Sequence, residues 1–169
     1  MLKPLPILLL FFIFVQSQAQ TDTELLATAQ EKAQEMSDAF HSGDFDTFMD
    51  FTHPTIIEDI GGREKMKELV SGGLGPGIEF VSTEVIRAKK LFKKGSTYQC
   101  GMKQEQIIQV EGKRYLIVGW LIGISYDKGA KWSYISLSNY TLKHMQQFFP
   151  ELDDKLPVKP QKEPRPVKN

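Results

Sequence analysis

The main change in the period of this chain's apolar residues falls at one place. Across the glycine-rich stretch 72–77 they pass from steps of three and four to alternation. A chain that is helical first and stranded afterwards does not build the repeating βαβ units of a parallel sheet. It points to an α+β architecture, with helices set against an antiparallel sheet. At 169 residues, one domain with one core is the expectation.

The helical half is well punctuated. Thr21-Asp22-Thr23-Glu24 has the capping-box pattern, in which a hydroxyl and a carboxylate three residues later satisfy free amides at a helix start. Leu25, Leu26, Ala29, Ala33, Met36, Ala39 and Phe40 give the following helix, over residues 23–41, one apolar face that stops at Ser42-Gly43. Asp44 caps a second, short helix carrying Phe45, Phe48 and Met49, which must end before Pro54. Residues 55–60 read as a short strand broken by Gly61-Gly62. Residues 63–70 form a third helix with Met66, Leu69 and Val70 inward.

The alternating half contains four strands, near residues 79–90, 96–110, 115–125 and 131–136. Lys94-Gly95, Glu111-Gly112 and Asp127-Lys128-Gly129 are hairpin-like links, so the sheet is an antiparallel meander. Ser138 or Asn139 then caps a short helix whose Leu142, Met145 and Phe149 face the core up to Pro150.

Both ends differ from this middle. Lys3, the unbroken apolar run 7–15 and Ser17-Gln18-Ala19 make residues 1–19 read as a secretory signal peptide cut after Ala19. An uncleaved anchor is the competing reading, but the run is short against the roughly 20 residues that span a bilayer. Gln20, not a cysteine, follows the cleavage point, so the mature chain is expected to be exported, periplasmic or secreted, and not membrane-tethered. Residues 151–169 alternate prolines with lysines and carry few large apolar groups, which reads as a disordered, solvated tail. That leaves residues 20–150 as the folded domain.

The order of elements resembles the nuclear transport factor 2-like superfamily, also called SnoaL-like or cystatin-like. The resemblance is carried by the capped first helix ending in Ala39-Phe40-His41-Ser42-Gly43-Asp44-Phe45, by Phe51-Thr52-His53-Pro54, and by Gly61-Gly62-Arg63-Glu64 before the sheet. It covers residues 20–150. It implies a strongly curved antiparallel sheet wrapped around the N-terminal helices, a cone whose mouth often binds a small apolar molecule. Members of that superfamily include isomerases, dehydratases, cyclases and non-catalytic binding modules.

Enzymes of that kind place a carboxylate or a histidine inside the cone as a base, where burial raises a carboxylate's proton affinity. The candidates here are Glu58 and Asp59, which point to opposite faces of a strand over residues 55–60, and His53. Against that, the two carboxylates more often serve as solubilising charges on an edge strand, and a histidine in the place of His53 more often closes a turn. Tyr98, Cys100, Met102, Gln104, Gln106, Ile108 and Val110 share the buried face of the second long strand. Gln104 and Gln106 interrupt that apolar row and are either ligand contacts or an internal hydrogen-bonded pair. Tyr98, Gln104, Gln106 and Trp120 are thus the ligand-binding candidates, with Tyr98 or a glutamine as donor to an oxyanion in the catalytic version.

The strand over residues 115–124 is apolar on both faces, Leu116, Val118, Trp120, Ile122 and Ile124 on one and Ile117 and Leu121 on the other. Its second dry face packs either a partner subunit, giving a homodimer through the sheet, or the chain's own elements. The net charge of zero gives no excess for a phosphate backbone, so nucleic acid is not an expected partner. No histidines stand at a zinc spacing, no cofactor motif is present, and the lone Cys100 reads as a small buried hydrophobe. The run 72–77 follows a helix and lacks a closing Lys-Ser or Lys-Thr, so it is an exit loop at the cone's rim and not a phosphate loop. Asn139-Tyr140-Thr141 fits the glycosylation pattern but overlaps a helix cap. The leading functional reading is an exported, non-catalytic module that binds a small apolar or amphipathic molecule or a protein. The alternative is an isomerase- or dehydratase-like enzyme.

Overall fold

A computed structural model of the chain describes residues 20–72 and 77–167. The expected signal peptide, residues 1–19, and most of the expected exit loop lie outside the described residues. The elements run α1 (Asp22–Ser42), α2 (Phe45–Phe51), α3 (Pro54–Ile60), α4 (Arg63–Ser71), β1 (Ile78–Ile86), β2 (Phe92–Lys94), β3 (Thr97–Val110), β4 (Lys113–Ser125), β5 (Ser133–Ser136), α5 (Leu142–Met145) and β6 (Arg165–Pro166). The strand order is β1-β3-β4-β5, with β2 pairing β3 and β6 pairing β4, all antiparallel. This is the α+β fold that the resemblance implied, a curved antiparallel sheet around N-terminal helices.

The first helix starts where its capping box puts it: Glu24 N–H donates to Thr21 Oγ1 at 3.3 Å and Thr21 N–H to Glu24 Oε2 at 2.7 Å. Its apolar face lies on the inner side of the sheet, where Ala29, Ala33, Cys100, Met102, Leu121 and Tyr134 are buried together. Two of its glutamines also cover the open edge of β1. Gln34 accepts from Val85 N–H at 2.9 Å and donates to Thr83 O at 3.0 Å, and Gln30 donates to Val85 O at 2.8 Å. Edge groups that would invite another strand are thereby occupied by side chains.

Residues 55–60 are helical, not a strand. The β-branched composition argues for extension, but end chemistry decides. His53 is the N-cap, its Nδ1 accepting from Thr55 N–H at 3.3 Å, Pro54 sits at the first helical position, and Gly61 closes the helix at φ +102°. Helix α4 buries Met66 and half-buries Val70. Leu69, expected inward, is 62% exposed, because this short helix packs mainly on α2 and α3 and not on the sheet.

The C-terminal segment is the second correction. Residues 150–167 are extended, yet they form a strap over the outer face of the sheet. Leu152 and Leu156 are buried with Ile122, Ile124, Ile135, Leu137 and Phe149, and Val158 packs against them. The strap then runs along the β4 edge beyond β5: Lys162 N–H donates to Val118 O at 3.0 Å, β6 pairs with Tyr115 and Leu116, and Val167 N–H donates to Arg114 O at 2.9 Å. Composition counts apolar groups; it does not see that two leucines meet a waiting apolar face or that backbone amides meet an unpaired edge. The same strap and α5 cover Ile122 and Ile124 on the outer face of β4, while Leu116 and Trp120 stay half-buried.

Candidate functional site

The cone does not hold the expected site. The space between α1 and the sheet is filled by the chain's own side chains, with Cys100 and Met102 fully buried. Burial pushes the Cys100 thiol up to about 12, which leaves no thiolate for nucleophilic chemistry. Gln104 does face inward, but its amide donates to Ser37 Oγ at 3.0 Å, and Ser37 in turn donates to Ala33 O at 3.0 Å. It is a satisfied internal polar link to α1. Gln106 is half-buried on the same face, and Tyr98 packs at the edge of the inner core with the Lys93 ammonium 5.0 Å from its ring centre. Trp120 lies on the opposite face, so the four ligand candidates do not converge.

Glu58 and Asp59 stand on α3, both exposed. His53 is 4% exposed and its ring is fully engaged. With Nδ1 accepting from Thr55 N–H, Nε2 carries the proton and donates to Tyr126 Oη at 2.9 Å; Tyr126 donates to Glu151 Oε1 at 2.7 Å. Burial lowers the His53 pKa, and burial with the Glu151 carboxylate raises that of Tyr126. The three-residue chain ties α3, the end of β4 and the strap together. It closes a turn, and it leaves no free lone pair for a substrate proton.

The arrangement with chemical capacity lies outside, between the β1–β2 loop and the strap. It is a groove of about 500 Å³ whose apolar floor is Ile86, Phe92, Trp120 and Pro157. Arg87, Lys89, Lys90, Lys103 and Lys155 surround that floor, and no carboxylate lines it. Of these five, only the Lys103 ammonium is held by an acid among the described residues, Glu105. Lys90 lies 4.8 Å over the Phe92 ring. Floor and rim come from four strands and the strap: the end of β1 and its loop, β2, the middle of β3 and of β4, and residues 155–157. Sequence reasoning named Trp120 but missed the cations, because Lys89 and Lys90 read as the end of a strand over residues 79–90, whereas β1 ends at Ile86, and Lys155 reads as part of a tail. Among the described residues no cluster of His, Cys, Asp or Glu is able to hold a metal ion, and no helix is long and apolar enough to cross a membrane.

No family model and no curated protein matches the chain. Among solved structures it is similar to an NTF-2-like protein of unknown function from Burkholderia xenovorans LB400, at 16% sequence identity and a TM-score of 0.35, over 79% of this chain and 99% of that one.

Proposed function

We propose that the chain is a non-catalytic binding module that holds a small amphipathic anion in the basic groove of its outer face. The observation that carries this reading is the union of an apolar floor with five cations and no lining carboxylate, in a protein whose net charge is zero. Like charges gathered on one concave surface repel one another and focus a positive potential, which a bound anion relieves. The volume falls within the roughly 300–1,000 Å³ of small-molecule sites, and an aromatic floor with a charged rim suits an apolar body with one acidic head. The isomerase- or dehydratase-like alternative requires a base in the cone. Glu58 and Asp59 on an exposed helix, and a His53 with both nitrogens engaged, supply none.

Export belongs to the same proposal: Lys3, the apolar run 7–15 and Ser17-Gln18-Ala19 support a cleaved signal.

The experiment uses Trp120 as its own reporter. The chain has two tryptophans, so Trp132→Phe leaves Trp120 alone. Decanoate and decyl phosphate should change its fluorescence saturably, decanol roughly tenfold more weakly, a difference of about 1.4 kcal/mol. Lys89→Glu with Lys155→Glu should weaken the anions and spare decanol. Equal binding of decanol and decanoate, or no saturable change with either anion, would remove the reading.

A further inference from the structure

The stretch after β5 places Tyr140, His144 and Phe148 at four-residue steps around α5. Tyr140 and His144 stack at 4.6 Å between ring centres and 11° between planes, and His144 and Phe148 stand 5.4 Å apart. Tyr140 is 53% and Phe148 57% exposed, a row of aromatic faces left in water where burial would have been favourable. They form one wall of a cleft of about 240 Å³. The cleft is also lined by Ile56, by the hydroxyl-bearing Thr55, Ser136 and Ser138, and by the carboxylate-bearing Asp59. The floor is closed by Met145 and Phe149, both buried.

We propose that this cleft is a second binding site and that its ligand is a saccharide ring. A pyranose presents C–H groups on one face, which pack on aromatic rings, and hydroxyls around its rim, which need a carboxylate and neutral hydroxyls that both donate and accept. The cleft offers both kinds of partner among its lining residues. It has no lysine or arginine among its lining residues, unlike the basic groove, and its three hydroxyl side chains suit an uncharged polyol better than a peptide's apolar side chains. The site is independent of the anion site, since the two share no lining residue.

Saturation-transfer NMR on the full chain, with cellotetraose, chitotetraose and maltotetraose as probes, tests it. Transfer from aromatic protons to the ring C–H protons of at least one sugar is expected. Phe148→Ala and Asp59→Asn, both at exposed positions and checked for an unchanged circular-dichroism spectrum, should each weaken binding about tenfold. Lys89→Glu should leave it unchanged, which separates failure here from failure of the anion site. Transfer to none of the three sugars overturns the proposal, as does transfer that survives both substitutions. Self-association abolished by Phe148→Ala, without sugar binding, would likewise overturn it by assigning the aromatic row to a second copy of the chain.

Discussion

The side-chain amide of Gln99, 3% exposed, donates to the backbone carbonyl of Glu151 at 2.8 Å. Its oxygen accepts from Asp153 N–H, also at 2.8 Å. One glutamine on the outer face of β3 thus holds both sides of the bend where the strap begins. Gln99→Leu keeps the volume and leaves that carbonyl and that amide without a partner, at about 1–3 kcal/mol for each group that stays buried. The expected result is a lower Tm together with faster proteolysis within residues 151–167. A lower Tm with proteolysis unchanged would show that the strap is held elsewhere.

At Gly101 the strap passes close over the sheet. A Cβ there would lie 2.7 Å from Val158 Cγ1 and 3.4 Å from Pro157 Cδ. Gly101→Ala should therefore push the strap outward, at about 1–3 kcal/mol. Adding Val158→Ala removes the clashing methyl, so a double-mutant cycle should return part of the loss. Additive costs would mean that the two residues do not meet.

These two contacts explain what was legible in the sequence. Local signals read correctly: Thr21 and Glu24 bond to each other within one turn, Glu111-Gly112 links two strands that pair from Val110↔Lys113 onward, and Met102 and Cys100 alternate onto the buried face. The errors occurred where partners are remote. Gln99 is a polar residue on a nominally outer face until a segment 52 residues away covers it. The strand reading of residues 55–60 weighed isoleucine content above the His53-Pro54 start and the Gly61 stop, and so put Glu58 and Asp59 beside a cone they do not enter. The basic groove gathers Arg87, Lys103 and Lys155 from three distant stretches, and no spacing rule joins them.

Trp132 is 6% exposed and its indole N–H has no hydrogen-bond partner among the described residues. An unpaired buried donor costs about 1–3 kcal/mol, while Phe in its place loses apolar contact. The two terms oppose each other, so Trp132→Phe should change Tm little compared with Gln99→Leu. A fall as large as that of Gln99→Leu would mean that ring volume, not the unpaired N–H, dominates the site. The result matters beyond stability, because this variant is the background in which Trp120 reports anion binding.

The pH dependence of stability should carry the mark of His53. Burial lowers its pKa in the folded protein, outweighing the nearby Glu151 and Glu58 carboxylates, while the unfolded chain titrates near the ordinary value of about 6.5. Below that value the unfolded state takes up a proton that the folded state refuses, because Nδ1 must stay bare to accept from Thr55 N–H. Stability is therefore full above about pH 6.5 and falls as pH drops toward the lowered folded value. His41, also lowered mainly by burial, adds to the loss in the same window. Glu24, Asp44 and Asp127 have pKa values lowered by hydrogen bonds, so their contribution is lost only at more acidic pH, below the ordinary carboxylate range. His53→Asn retains a side-chain acceptor for the cap but cannot titrate. Measured from pH 8 to 5, its Tm should start below that of the parent, having lost the bond to Tyr126, and then decline less steeply, so that the two curves converge. Parallel curves would mean that His53 gains a proton as easily folded as unfolded, and that its burial does not govern its charge.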